Sequence, residues 1–199
     1  MLTRTWWAVA EPGCKVTVAN PTDAELVSAS LSGDRGAFDA IVERHRRQVY
    51  QLCYRFAGNH EDASDLAQDV FIRAYRGLRS FKGQASLGTW LYRIAVNVSL
   101  NKVAAKGLKA QSLEPLLAGQ DERLVSRDEN ASDALLRGER AAQVRAAIAR
   151  LPRKQRATLV LRVYHDLPHE QIAAVLGSSV GAAKANFFHA LNNLKKLLS

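Results

Sequence analysis

Three side chains that could bind a nucleic acid recur at four-residue steps in the middle of the chain: Arg93, Asn97 and Asn101. On an α-helix such residues share one face, so the three form a polar stripe. The preceding loop, residues 80–86, reads Ser-Phe-Lys-Gly-Gln-Ala-Ser and brings a cation, an aromatic ring, an amide and small residues. Cations beside a stacking surface are typical of sites for unstacked bases. The same periodicity also fits an ordinary helical hairpin with a solvated outer face.

Two predicted helices flank this loop and would hold the polar stripe in place. Apolar residues recur at three- and four-residue steps on both sides of the loop, which indicates amphipathic helices. The first set is Leu66, Ala67, Val70, Phe71, Ala74 and Leu78, and the second is Trp90, Leu91, Ile94, Ala95 and Val98. Ser86 or Thr89 is expected to cap the second helix by accepting from its unpaired amides.

Two further helices are predicted before this hairpin. Thr22 and Glu25 have the spacing of a capping box, which marks the start of the first helix. A longer helix is predicted from Ala37 to Ala57, with Gly58 and Asn59 in the pattern that ends a helix. The first half of the chain therefore contains a small helical domain.

The chain is predicted to be all-α, with two small helical domains joined by a flexible acidic linker. The linker is inferred because the segment 110–133 carries six acids and two bases, a local charge of −4, together with Pro115 and Gly119. The predicted organisation is a flexible N-terminal extension at 1–21, a first domain at 22–106, the linker at 107–133 and a second domain at 134–199.

A helix-turn-helix pattern lies in the second domain. The segment 168–180 predicts a short helix that ends at Gly177, where glycine permits a tight turn, and a second helix after it. The residues expected to bury that second helix are Val180, Ala183, Phe187, Leu191 and Leu194. Its free face carries amides and lysines, which in a major groove would meet base edges and phosphates.

The composition points to a polyanionic partner. The chain has 199 residues, a net charge of +9 and a pI of about 9.9, and such a balance favours nucleic acid over membrane. Two cysteines far apart do not suggest a disulfide framework or a zinc site. No apolar run approaches the length of a membrane span, so we expect a cytoplasmic protein without membrane insertion.

A metal-dependent enzyme is a weak alternative. His165 and His169 are four residues apart, but Pro168 interrupts the helix that this spacing needs, and no convincing third ligand or catalytic base accompanies them. We therefore expect no catalytic residues, no metal and no cofactor.

Besides its apolar periodicity, the hairpin carries a long and specific string of residue types. It reads Asp65-Leu66-x-Gln68-Asp69-Val70-Phe71, then Ser80-Phe81-x-Gly83, then Thr89-Trp90-Leu91-Tyr92-Arg93-Ile94-Ala95-x-Asn97. This string resembles the second conserved region of bacterial sigma factors, most closely the extracytoplasmic function (ECF, group IV) class. The resemblance continues to the C-terminus through Leu151-Pro152-x-x-x-Arg156 and the helix-turn-helix, where this chain has fewer arginines than is usual.

The resemblance implies a non-enzymatic transcription initiation factor. It would bind core RNA polymerase, recognise the −35 and −10 elements of promoter DNA and promote promoter melting, and an anti-sigma factor would be its regulator. Residues implied at the −10 element are Lys82, Gly83, Gln84, Ala85, Ser86, Leu87, Arg93, Asn97 and Asn101. Residues implied at the −35 element are Ser179, Gly181, Lys184, Asn186 and His189. Residues implied at core polymerase are Asp65, Leu66, Gln68 and Asp69.

A stand-alone helix-turn-helix regulator that binds duplex DNA is the alternative function. It would account for residues 134–199 but would leave the string from Asp65 to Lys102 without a role.

Overall fold

The computed structural model describes residues 21–110 and 131–199, with side chains described for 21–102 and 138–199. The described residues form α-helices and one 3-10 turn, in agreement with the all-α prediction. The N-terminal unit contains α1 (Asp23–Leu31), α2 (Arg35–Ala57), α3 (His60–Gly77), the 3-10 turn Leu78–Ser80 and α4 (Leu87–Ala110). The C-terminal unit contains α5 (Ala131–Arg150), α6 (Arg153–Tyr164), α7 (His169–Leu176) and α8 (Val180–Leu198).

The predicted helix ends of the N-terminal unit are confirmed by their capping contacts. The Thr22 hydroxyl accepts from the Glu25 N–H at 3.3 Å, and the Glu25 carboxylate accepts from the Thr22 N–H at 2.6 Å, which closes the capping box. Gly58 ends α2 with a positive φ of 79°, and the Asn59 side chain accepts from the Asp62 N–H to begin α3. The loop between α2 and α3 is therefore set by local chemistry.

The core of the N-terminal unit lies between α2, α3 and α4. Leu52, Val70 and Leu91 are at most 1% exposed and stand on these three helices. Cys53 is fully buried beside them as a free thiol, and burial raises the pKa of this thiol to about 11.

Two predicted domain boundaries fall inside helices. Helix α4 continues to Ala110, past the boundary expected at 106, and α5 begins at Ala131, before the boundary expected at 134. Residues 103–110 are mostly alanine, lysine and leucine, which favour a helix without needing a periodic apolar face. The expected N-terminal extension, up to residue 20, and the segment 111–130 of the expected linker lie outside the described residues.

The helix-turn-helix prediction matches α7 and α8. Gly177 links them in the left-handed region at φ 60°, where a side chain would be strained. Ser179 caps α8 by accepting from the Ala182 N–H at 3.1 Å. The buried face of α8 differs from the prediction at one position: Leu191 is 46% exposed, and Ala190 is fully buried in its place. The buried face is rotated slightly because α6 packs along α8 on the side of Ala190 and Asn193, whose amide donates to Gln155 of α6.

The two units pack directly against each other. Their buried apolar residues form one continuous cluster, and α7 contacts α4 while α6 contacts α2. Arg156 of α6 is only 5% exposed and donates to the Phe56 carbonyl of α2 at 2.6 Å. The Tyr92 and His165 rings meet edge to face with centroids 5.2 Å apart. The structure therefore holds the C-terminal unit against α2 and α4 of the N-terminal unit.

Candidate nucleic-acid interface

Helix α4 presents the polar stripe in the predicted orientation. The Ser86 hydroxyl accepts from the Thr89 N–H at 3.2 Å, so Ser86 is the capping residue of the two candidates. Leu91 and Ala95 are buried on the inner face of α4, whereas Arg93, Asn97 and Asn101 are exposed on its outer face. The stripe is thus on a rigid helix whose opposite face is fixed by packing.

A cavity of about 320 Å³ opens between the loop 80–86 and the start of α4. Four residues of the predicted −10 set line it: Lys82, Gln84, Ala85 and Arg93. Phe81 and Trp90 form one wall, with ring centroids 5.4 Å apart and planes tilted by 53°. Gly83 turns the loop around the cavity at φ 68°. An aromatic wall, two cations and an amide give this cavity the groups that hold an unstacked base beside its phosphate.

Leu87 is not part of this surface. The sequence placed it with the −10 residues, but its side chain is only 2% exposed and belongs to the core. Leu87 is the first residue of α4 and points inward with the helix's apolar face. Its side chain anchors the start of α4 in the core.

Two residues of the polar stripe are engaged by the C-terminal unit. Arg93 donates from Nε, at 3.2 Å, and from Nη2 to the backbone carbonyl of Ala174 in α7. The Asn101 side-chain oxygen accepts from Arg153 of α6 at 2.8 Å. Asn97 lies between them and is exposed. In this structure Asn97 is therefore the member of the stripe that is exposed without a contact described to the C-terminal unit, whereas Arg93 and Asn101 each bind that unit.

The predicted polymerase surface lies on the outer face of α3. Asp65, Gln68 and Asp69 are exposed there, and the Asp65 carboxylate is 3.6 Å from the Lys102 ammonium of α4. Leu66 does not belong to this surface, because it is 1% exposed and packs in the core.

Sequence reasoning missed Ile72, an exposed aliphatic residue of α3. It is 41% exposed and follows Gln68 by one helical turn. Single exposed aliphatic side chains are common on protein surfaces, so the significance of Ile72 lies in its position beside the predicted polymerase residues. The four-residue step from Gln68 to Ile72 would have identified Ile72 as part of the exposed face of α3.

Helix α8 carries the predicted −35 residues on its outer side. Ser179, Gly181, Lys184 and His189 are exposed, and Asn186 is half-buried. Sequence reasoning missed Phe188, which is 61% exposed and lies one turn beyond Lys184 on the same face. An exposed phenylalanine on such a helix can meet the methyl group of a thymine.

His165 and His169 do not share a site. The His165 ring contacts Tyr92, and the His169 ring contacts Phe187 with centroids 5.7 Å apart. Burial lowers the pKa of His165, and the nearby Arg55 lowers it further. In the described part of the chain, no group of three or more histidine, cysteine or acidic side chains could hold a metal ion.

Within residues 21–110 and 131–199, no helix is both long enough and apolar enough to cross a membrane.

Both units match known protein families. Residues 41–108 match Sigma-70 region 2, and residues 141–194 match Sigma-70 region 4. The first range contains the cavity and the polar stripe, and the second contains the helix-turn-helix. The fold and the site thus define a sigma-70-type protein with its two promoter-recognition regions.

Curated relatives extend this match along most of the chain. The RNA polymerase sigma-H factor of Pseudomonas aeruginosa is 34% identical over 88% of this chain and 93% of its own length. The ECF RNA polymerase sigma factor SigW of Bacillus subtilis is 33% identical over 83% of this chain and 91% of that protein. The ECF RNA polymerase sigma-E factor of Escherichia coli is 35% identical over 85% of this chain and 90% of that protein.

Solved structures agree in fold. CnrH, in complex with the cytosolic domain of CnrY, is 26% identical with a TM-score of 0.62, covering 88% of this chain and 96% of CnrH. The sigma factor RpoE of Bartonella quintana, in complex with the anti-sigma factor NepR, is 21% identical with a TM-score of 0.61, covering 81% of this chain and 96% of RpoE.

The chain therefore belongs to the extracytoplasmic function class of RNA polymerase sigma factors. Its function is to direct RNA polymerase to promoters. The comparisons give no support to a stand-alone regulator, which would leave the match of residues 41–108 to Sigma-70 region 2 unexplained.

Proposed function

We propose that the N-terminal unit captures one base and the neighbouring backbone of the −10 element after the strands separate. The observation that carries this proposal is the cavity of about 320 Å³ walled by Phe81 and Trp90 and rimmed by Lys82 and Arg93. A base inserted there would stack on the aromatic wall while the cations meet its phosphates. Asn97, one turn beyond Arg93, would hydrogen-bond a base edge.

Melting in this scheme needs no hydrolysis. A captured single strand offsets part of the stacking and pairing energy that is lost when the duplex opens. The protein would therefore act without a catalytic step of its own, and it needs neither a metal nor an organic cofactor. We also propose that it works in the cytoplasm, where its polymerase partner is found.

The C-terminal unit is proposed to bind the −35 element as a duplex. Helix α8 would enter the major groove with its N-terminal end first, which brings Ser179, Gly181 and Lys184 to the DNA. Asn186 and His189, farther along α8, would lie at the side of the groove, and Phe188, on the face of Lys184, would be a further contact. Because few cations stand on this face, the duplex contact on its own is expected to be weak.

Core polymerase is proposed to dock on α3. Asp65, Gln68 and Asp69 would supply charged and polar contacts, and Ile72 would supply an apolar contact beside them. A protein regulator of the anti-sigma type is a further proposed partner, supported by the complex of the similar CnrH with the cytosolic domain of CnrY.

Dependence on polymerase tests this function. The purified protein is expected to bind duplex promoter DNA weakly, and specific open complexes should form only after core polymerase is added. In vitro transcription from a library of promoter sequences measures this, with core polymerase alone as the control. Tight, sequence-specific duplex binding by the isolated protein would contradict the proposal.

The −35 contact is tested by Lys184→Ala. Because Lys184 is exposed on α8, its loss should leave the fold intact and remove one phosphate contact. Binding of the −35 element by the holoenzyme should weaken, and the slope of log affinity against log salt should fall by roughly one unit. Lys154→Ala, which removes an exposed lysine of α6, is the matched control. Equal slopes for wild type and Lys184→Ala across a salt series would remove Lys184 from the groove.

A further inference from the structure

Two arginines, one from each unit, bind the C-terminal end of a helix in the other unit. Arg156 of α6 donates to the carbonyl of Phe56, which is in the last turn of α2 (Arg35–Ala57). Arg93 of α4 donates to the carbonyl of Ala174, which is in the last turn of α7 (His169–Leu176). The last four carbonyls of a helix have no partner within the helix, and the helix dipole favours a cation there.

The two contacts therefore act as reciprocal caps. At the end of α2 the Gly58 N–H donates to the Tyr54 carbonyl, and at the end of α7 the Ser178 N–H donates to the Ala173 carbonyl. The neighbouring carbonyls of Phe56 and Ala174 receive their donors from the opposite unit instead. Arg153 adds a third contact by donating to Asn101 at 2.8 Å.

We propose that these caps hold the free protein in a closed, autoinhibited arrangement. The proposal rests on the proposed function of the polar stripe, because Arg93 and Asn101 cannot meet a DNA strand while they serve the C-terminal unit. Arg93 also lines the cavity proposed for the flipped base, and in this arrangement its Nε and Nη2 donors are used by the Ala174 carbonyl and not by a phosphate. Arg93 and Asn101 can therefore bind either the C-terminal unit or a DNA strand, but not both at the same time.

The closed arrangement has a built-in cost that makes it reversible. Arg156 is 5% exposed, its Nε has no hydrogen-bond partner within the described residues, and burial lowers the pKa of its guanidinium. Burying a cation costs hydration free energy, and hydrogen bonds to neutral groups compensate for only part of that cost when one donor has no partner. The ring of Phe56, 5.2 Å from the guanidinium, offsets some of that loss. When the two units separate, Arg156 is hydrated again and Arg93 is released from the Ala174 carbonyl.

The test compares three variants of α6 in the full-length protein: Arg153→Ala, Arg156→Ala and the control Lys154→Ala. Each removes one positive charge from the same helix, but Lys154 makes none of the contacts between the units described above. Small-angle X-ray scattering measures the radius of gyration, and fluorescence anisotropy measures binding of a random single-stranded DNA of about ten nucleotides. Circular dichroism verifies that each variant is folded.

Both arginine variants should show a larger radius of gyration than Lys154→Ala. Arg156→Ala should also bind the strand about tenfold more tightly, which is the gain expected if about a tenth of the wild-type protein is open. Arg153 is an exposed residue, so Arg153→Ala keeps the test valid if Arg156→Ala does not fold.

Two outcomes would overturn the proposal. If both arginine variants match Lys154→Ala in radius and affinity, the caps do not close the molecule. If the molecule opens without tighter strand binding, the caps are structural and do not inhibit. The scattering measurement needs no DNA, and the base preference of the holoenzyme tests the −10 site separately, so the two proposals can fail independently.

Discussion

Shortening Leu91 to alanine is expected to lower the free energy of unfolding by about 2–5 kcal/mol, because a truncated core leucine loses transfer free energy and leaves a cavity. Leu91 is 1% exposed on the inner face of α4, which packs on both α2 and α3. No neighbour can fill the space without moving one of these helices. Urea unfolding followed by circular dichroism and tryptophan fluorescence measures the loss.

Leu31→Ala is the matched control for this change. It removes the same atoms from a leucine that is 43% exposed at the end of α1, so it should cost less than about 1 kcal/mol. Leu91→Ala should also weaken −10 recognition, because Arg93 and Asn97 are positioned by the helix that Leu91 anchors. Equal losses of stability in the two variants would show that α4 is not held by its buried face.

Replacing Asn97 with alanine is expected to change base preference with little effect on stability. Asn97 is exposed on α4, and surface changes of this kind usually cost under about 0.5 kcal/mol. If its amide hydrogen-bonds a flipped base, the loss should reduce discrimination by roughly 1–3 kcal/mol, which is about 5- to 150-fold. The loss should appear at one −10 position and only when the strand is open.

Abortive transcription by the holoenzyme measures this effect. A duplex promoter and a pre-melted promoter are each prepared with all four bases at every −10 position. Gln48→Ala, which removes an exposed amide from α2, is the control and should keep the wild-type preference. Binding to core polymerase should be unchanged in both variants, since that contact is assigned to α3. An Asn97→Ala protein with wild-type preference at every position would remove Asn97 from the reading site, and one that unfolds would show that its role is structural.

The helices and their ends could be predicted because their determinants are local. The capping box of Thr22 and Glu25 and the left-handed Gly177 each involve residues within a few positions of one another. The polar stripe could be predicted for the same reason, since helical spacing alone places Arg93 and Asn97 on one face. The boundary predicted at 106 falls inside α4, because helix propensity continues this helix where the periodic apolar pattern has already faded.

The errors in the site concern burial at the edges of amphipathic faces. Leu66 and Leu87 were assigned to surfaces because the resemblance to sigma factors implied contacts there, whereas both side chains enter the core. Spacing shows which residues share a face, but the packing of a second helix decides how far that face is covered. The reciprocal caps could not be predicted at all, because Arg93 and Ala174 are separated by most of the second half of the chain and no local pattern links a side chain to a distant carbonyl.

The buried thiol of Cys53 gives the N-terminal unit an internal reporter. With a pKa of about 11, only about one part in ten thousand of this thiol is ionised at neutral pH, and the thiolate is the reactive form. The side chain is also fully enclosed between α2 and its neighbours. Alkylating reagents and peroxide therefore reach Cys53 only during excursions that separate these helices. The rate at which Cys53 is modified therefore measures how often the core beneath the polar stripe opens, and the measurement needs no engineered label.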